Sequence, residues 1–113
     1  MTPRQRTMRD VEAVARIHDV PLAAIFSERR DQKAARARQA VMWMLRFSKG
    51  WSYPAIGKFL NRDHTSVTFG VGRHEMRLGK VTPVAEYAQA KRQKARAWYY
   101  SNRATRRMGR MAA

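Results

Sequence analysis

The chain has 113 residues, 44% of them hydrophobic, with 24 Lys and Arg against 8 Asp and Glu, and no cysteine. That length suits one modest core with basic extensions and no separate nucleotide-hydrolysing module, and the absence of cysteine excludes disulfides, thiolate metal sites and cysteine nucleophiles. A net charge of +16 calls for a polyanionic partner: DNA, RNA or an anionic membrane face.

The start, Met-Thr-Pro-Arg-Gln-Arg, carries no apolar run of a secretory signal. No stretch nears the roughly 18 apolar residues of a membrane span, so a cytoplasmic, nucleoid-associated protein with no membrane partner is expected. Residues 1–6 read as a mobile basic arm. Thr7, with Asp10 three residues on, offers an N-cap for a helix over about Met8 to Asp19. Pro21 then suits the first turn of a short helix, Leu22 to Phe26. Ser27 to Lys33 reads as a polar loop. A long helix follows over about Lys33 to Lys49, with Ala34, Ala37, Val41, Met44, Leu45 and Ser48 on one face, and Gly50 fits its left-handed cap.

Ser52 and Pro54 predict the start of a short helix, Tyr53 to Leu60. Asn61 tolerates a left-handed turn, and Asp63 can cap the next helix, whose stripe is Val67, Val71 and Leu78 with Gly70 and His74 beside it. Gly70 and Gly72 lie inside that helix at a cost of roughly 0.8–1 kcal/mol each against alanine. Close approach of the preceding helix accounts for Gly70; the pattern offers no account of Gly72. Gly79 ends the helix. Thr82-Pro83 opens a last one, to about Tyr100, followed by a basic tail over 101–113. The class is all-α: a helix-turn-helix domain of about five helices over 7–79, with an extra basic helix and tail over 80–113.

The basic residues are clustered. Residues 29–49 hold Arg29, Arg30, Lys33, Arg36, Arg38, Arg46 and Lys49 against Asp31 alone. At a loop and helix start, arginines and backbone N–H groups together hold phosphates, and a loop arginine can enter a narrow minor groove. After Glu86 come Lys91, Arg92, Lys94, Arg96, Arg103, Arg106, Arg107 and Arg110 with no acid. This second cluster reads either as phosphate-neutralising or as a solubilising arm. Trp98, Tyr99 and Tyr100 sit within it, either packed on the domain or free to stack on unpaired bases.

A short helix, a tight polar turn and a helix opening on small hydrogen-bonding residues is the helix-turn-helix order. The second helix enters the major groove N-terminus first. There Asp63 can accept from cytosine N4 and Arg62 can meet guanine or phosphate. His64 can donate to a base acceptor, and Thr65 and Ser66 can touch thymine methyls or phosphates.

Asn61-Arg62-Asp63-His64-Thr65-Ser66-Val67 resembles the signature of the C-terminal DNA-binding domain of the bacterial replication initiator DnaA. The resemblance extends in register to Arg29-Arg30, to Ala35-Arg36-Ala37-Arg38-Gln39 and to Ser52-Tyr53-Pro54-Ala55-Ile56-Gly57, over roughly residues 8–78. It implies minor-groove contact by Arg30 and base contact by Arg38, Asp63, His64, Thr65 and Ser66. Gln39, Arg46, Tyr53 and Pro54 would lie along the phosphates or position the helices. Arg29, Lys33, Arg36 and Arg62 join the expected backbone contacts. Asn61 stands where that family has glycine, Ala37 where proline is common, and Glu28 and Asp31 put acids beside Arg30.

The resemblance does not extend to the initiator's ATPase domain. The expectation is therefore a binder of a DnaA-box-like site in double-stranded DNA. It would act in transcription or replication control, or compete with a host initiator, without nucleotide or other cofactor and without catalysis. Its other partners would be host transcription or replication machinery. His64 beside Asp63 lacks a nucleophile for general-base work, and His18, His64 and His74 match no metal-ligand spacing. The rival readings are a small basic RNA-binding or ribosome-associated protein, and an interaction module whose arms bind an acidic protein.

Overall fold

Among the described residues six helices follow one another: α1 (Pro3–Ile17), α2 (Leu22–Phe26), α3 (Gln32–Phe47), α4 (Tyr53–Leu60), α5 (His64–Arg77) and α6 (Pro83–Ala112). The computed structural model describes the backbone of residues 1–112 and the side chains of residues 1–102, with no strand among them. The all-α expectation holds, and α2 and α4 have the expected bounds.

The first helix differs. The Thr2 hydroxyl accepts the Gln5 N–H at 3.2 Å, and the Gln5 side chain accepts the Thr2 N–H at 2.8 Å. This reciprocal box, with Pro3 in the first turn, starts the helix in place of the expected arm. Thr7, expected as the cap, is buried inside the helix and donates its hydroxyl to the Pro3 carbonyl. Helix α3 begins at Gln32 because Asp31 caps it, accepting the Ala34 N–H at 3.2 Å. It ends at Phe47 rather than Lys49.

One core unites the first five helices. Val11 and Ala15 of α1, Ile25 of α2, Ala34, Ala37, Val41 and Leu45 of α3, Ile56 and Leu60 of α4, and Val67 and Val71 of α5 are all 1% exposed or less. Of the expected α3 stripe, Met44 and Ser48 stand at its rim, and Met42 is inside instead. Leu78, expected on the α5 stripe, is exposed. Gly70 does serve a close approach, but to α3: an added Cβ would lie 2.5 Å from the Met42 sulfur.

Gly72 is explained by α6. A Cβ there would fall 2.3 Å from the Val84 carbonyl oxygen and 2.6 Å from the Ala88 Cβ. The glycine lets α6 lie against α5, where Ala85 and Ala88 are buried. Glu75, itself 3% exposed, fastens the joint. Its carboxylate accepts from Trp43 Nε1 of α3 at 3.3 Å and from the Thr82 hydroxyl, while Thr82 caps α6 by accepting the Ala85 N–H. A buried carboxylate is tolerated when donors surround it. Trp43 also packs on Phe47 and His74, and Lys80 lies over its ring.

Beyond Ala88, residues 89–101 of α6 are all exposed. The helix runs on past the expected Tyr100, and the molecule measures 66 Å along its long axis against 29 and 24 Å across. The sequence expectations for Arg103, Arg106, Arg107 and Arg110 fall on side chains outside the described residues.

Gly72→Ala should lower stability by about 1–3 kcal/mol, the usual cost of overpacking. Helix propensity alone would raise it by roughly 1 kcal/mol. A thermal melt followed by circular dichroism decides the sign. A higher melting temperature would mean that α6 does not press on α5 at this point.

Candidate nucleic-acid interface

Ser52 caps α4 by accepting the Ala55 N–H at 3.2 Å, and Pro54 occupies its first turn. The chain leaves α4 through Asn61 in the left-handed region (φ 55°). It then folds tightly over Gly57: the Arg62 N–H donates to the Gly57 carbonyl at 2.7 Å, and a Cβ on Gly57 would lie 2.5 Å from the Arg62 carbonyl oxygen. Two helices meet at this short turn, and α5 points its first residues outward.

Asp63 holds the N-cap position, but its side chain does not cap. The carboxylate instead accepts the Thr65 hydroxyl at 2.5 Å and lies 3.2 Å from His64 Nδ1. The hydrogen bond from Thr65, aided by the neighbouring imidazole, lowers the Asp63 pKa. Asp63, His64 and Ser66 are exposed and Thr65 half-exposed. The helix tip thus offers an anionic acceptor, an imidazole and two hydroxyls, and its first-turn N–H groups have no side-chain cap. A hollow between the starts of α4 and α5 is lined by Pro54, Lys58, Asn61, Asp63 and His64. Lys58 was not anticipated; its place one turn before Asn61 is the signal that could have found it.

The segment after α2 is fastened to this tip. Arg38, on α3, is only 6% exposed. Its Nε donates to the Ile25 carbonyl at 3.1 Å. Its Nη2 lies within 2.9–3.0 Å of the carbonyls of Ala24, Ser27 and Arg29. Burial, then the charge of Arg62, lowers the pKa of this guanidinium. Arg38 was expected to read a base, and the correction is physical: its donors face inward and hold the loop. Arg62 is a second correction. It was expected on the phosphates, but Nη2 turns in to the Ser27 carbonyl at 2.5 Å and its Nε is buried without a partner.

Held this way, the loop divides its two arginines. Arg29 pairs with Asp31 through two contacts of 2.9 and 3.1 Å. That pairing, with the Ala34 N–H, lowers the Asp31 pKa. Arg30 is exposed and makes no hydrogen bond or ion pair among the described residues. Asp31 therefore answers Arg29 and leaves Arg30 available.

The remaining expected residues are dispersed by role. Lys33 pairs with Asp19 at 2.9 Å. Arg46 donates to the Trp51 carbonyl at 3.1 Å and lies 4.6 Å over the Tyr53 ring, so both help set α4 on α3. Gln39 is half-buried under Gly70, its Oε1 unpartnered. Pro54 and Arg36 are exposed. Arg36 has company the sequence did not suggest. Partial burial, then mutual repulsion with Arg36 and other arginines, lowers the pKa values of Arg73 and Arg77 on α5. Arg92 of α6 joins the same cationic ridge. The Arg73–Arg77 spacing of four was the available clue. Among the described residues no cluster of His, Asp and Glu could hold a metal ion, and no helix is long and apolar enough to cross a membrane.

Residues 11–73 match the family model described as the bacterial dnaA protein helix-turn-helix. Among curated proteins, the chain is 41% identical over 71 residues to the chromosomal replication initiator protein DnaA of Caulobacter vibrioides (strain NA1000 / CB15N), covering 61% of this chain and 14% of that protein. It is 39% identical over 61 residues to the DnaA of Dechloromonas aromatica (strain RCB), covering 53% and 13%. To the DnaA of Bradyrhizobium sp. (strain BTAi1 / ATCC BAA-1182) it is 34% identical over 90 residues, covering 78% and 19%. The chain thus spans less than a fifth of the length of these relatives. No solved structure matches it significantly.

Arg38→Ala should remove one donor from each of four carbonyls and cost about 1.5–3 kcal/mol, the range for hydrogen bonds to a charged group. Hydrogen exchange should quicken at residues 24–30. A base-reading side chain would instead leave the melting temperature of the free protein unchanged, so a denaturant titration separates the two roles.

Proposed function

We propose, from the premise that this chain belongs to the bacterial DnaA helix-turn-helix family, that it binds double-stranded DNA sequence-specifically at a DnaA-box-like site and acts in replication or transcription control. One observation carries the reading. Asp63, His64, Thr65 and Ser66 stand together at the outward N-terminus of α5, exposed or half-exposed, with the Asp63 carboxylate accepting the Thr65 hydroxyl and lying beside the His64 imidazole.

Each group has a task in a major groove. The Asp63 carboxylate accepts from the N4 amino group of cytosine. His64 donates to N7 or O6 of a purine. Thr65 and Ser66 offer a methyl, hydroxyls or both to thymine and phosphate. Asp63 needs its neighbours: a bare carboxylate facing a polyanion is repelled, and the imidazole and hydroxyl offset its charge. A helix N-terminus also brings positive potential to the phosphates.

Arg30 enters the adjacent minor groove, whose negative potential draws an unpaired guanidinium. Its register follows from Arg38 and Arg62, which tie its loop to α3 and to the recognition turn. The two readers therefore approach the duplex as one rigid pair. Arg36 neutralises phosphate directly. Arg29 and Lys33 do so by exchanging Asp31 and Asp19 for the backbone, a modest cost because exposed ion pairs are worth about 0–1 kcal/mol. Tyr53 and Pro54 bring the start of α4 against the phosphates beside the hollow.

Duplexes with and without a DnaA box, titrated at several salt concentrations, test the reading. His64→Ala and Thr65→Ala should each weaken the box duplex by about 1–3 kcal/mol, roughly 5- to 150-fold. Random duplex should be barely affected. Equal losses on both would mean that this helix does not read bases. Tighter binding to duplex RNA of the same length would favour an RNA partner instead.

A further inference from the structure

Helix α6 runs antiparallel to α5, and three levels of contact fix its register. Thr82 meets Glu75. Val84 and Ala88 meet Gly72. The Lys91 ammonium lies 5.4 Å from the centre of the Phe69 ring. Stepping one turn back along α5 moves one to two turns forward along α6. On that register, the level of His64 falls close to Arg96.

Helix α6 does not stop there. It continues to Ala112, and sixteen further residues at 1.5 Å each carry it roughly 24 Å past the N-terminus of α5. That end of α5 is the one that meets the duplex on the reading above. Every residue between Gln89 and Ser101 is exposed. The line that faces α5 through Val84, Ala88 and Lys91 continues at helical spacing to Ala95 and Trp98. Trp98, on that line, is 68% exposed. Lys94 and Arg96 flank that line.

The geometry points to α6 as a second DNA-contacting element: where it passes the tip of α5 and projects beyond it, it lies along the duplex on one flank of the recognised site, with Lys94 and Arg96, near the level of that tip, on the phosphates and Trp98 against the backbone between them. This rests on α5 being the recognition helix. Charge selects the occupant. From Tyr87 onward the helix has eight basic residues and no acid, so a second copy laid against it would set like charges face to face, whereas a polyanion would be drawn in. Because α6 leaves the domain in one direction only, the added contact must be one-sided.

The experiment uses the full chain and three duplexes. One ends just beyond the DnaA box; the others are extended by about one helical turn, roughly ten base pairs, on one end or the other. One extension should raise affinity about tenfold at 0.1 M salt, and the other should not. Lys94→Gln with Arg96→Gln should abolish that gain and lower the salt slope by about 1.8, at 0.9 per lost phosphate contact. Affinity for the short duplex should be unchanged. Arg4→Gln with Arg6→Gln removes the same charge from α1 and should leave the flank effect intact. Equal gain from both extensions or from neither, or equal loss on short and long duplexes, overturns the proposal. So does a DNA-free dimer in sedimentation that Trp98→Ala dissolves. The short duplex and its dependence on His64 report separately on the recognition helix, so the failure of one reading is distinct from the failure of the other.

Discussion

Four backbone carbonyls converge on the guanidinium of Arg38, and the interface depends on that convergence. The end of α2 and the segment after it have no sheet or long helix to absorb their carbonyls. Left to water, that stretch would sample many conformations, and fixing it would cost on the order of 1–2 kcal/mol per residue. Arg38 supplies donors from inside the core, and Arg62 adds another from the recognition turn. Two like charges so close are tolerated because both face oxygen dipoles. The loop thereby becomes part of the helix-turn-helix unit, and Arg30 has a fixed starting point.

This arrangement explains why local sequence pattern did not foretell that Arg38 and Arg62 turn inward. The spacing of Ser52, Pro54, Asn61 and Asp63 marks both helix starts and the turn between them without ambiguity. The apolar positions of α3 and α5 give most of the core. Arginine, however, has the same letter whether it faces solvent or carbonyls. Arg38 follows Ala37 and precedes Gln39 on the border of the buried stripe, and only the carbonyls arriving from residues 24–29 decide its direction. Those are long-range partners, invisible in local pattern. The N-terminal helix failed for a local reason: Thr2–Gln5 and Thr7–Asp10 are competing caps three residues long, and only the first closes both hydrogen bonds. Gly72 was unexplained because its partner, α6, lies outside the span covered by the resemblance.

Acids are rare in this chain, and their placement is economical. Asp31 caps a helix and restrains Arg29; Asp63 organises His64 and Thr65; Glu75 joins three helices. None lies on α6 beyond Glu86. The surface left over is one of unanswered positive charge, which favours association with a polyanion and makes that association sensitive to salt.

The joint at Gly72 has a mechanical consequence. Helix α6 is held against α5 as far as Lys91 and then extends for roughly 32 Å to Ala112. It is a cantilever whose fulcrum is a single missing methyl group. A tilt of about 10° at that fulcrum, within the ordinary scatter of helix crossing angles, sweeps the far end through about 6 Å. Small adjustments in packing between Gly72, Val84 and Ala88 are thus magnified into displacements as large as a groove half-width, while the core beneath stays still.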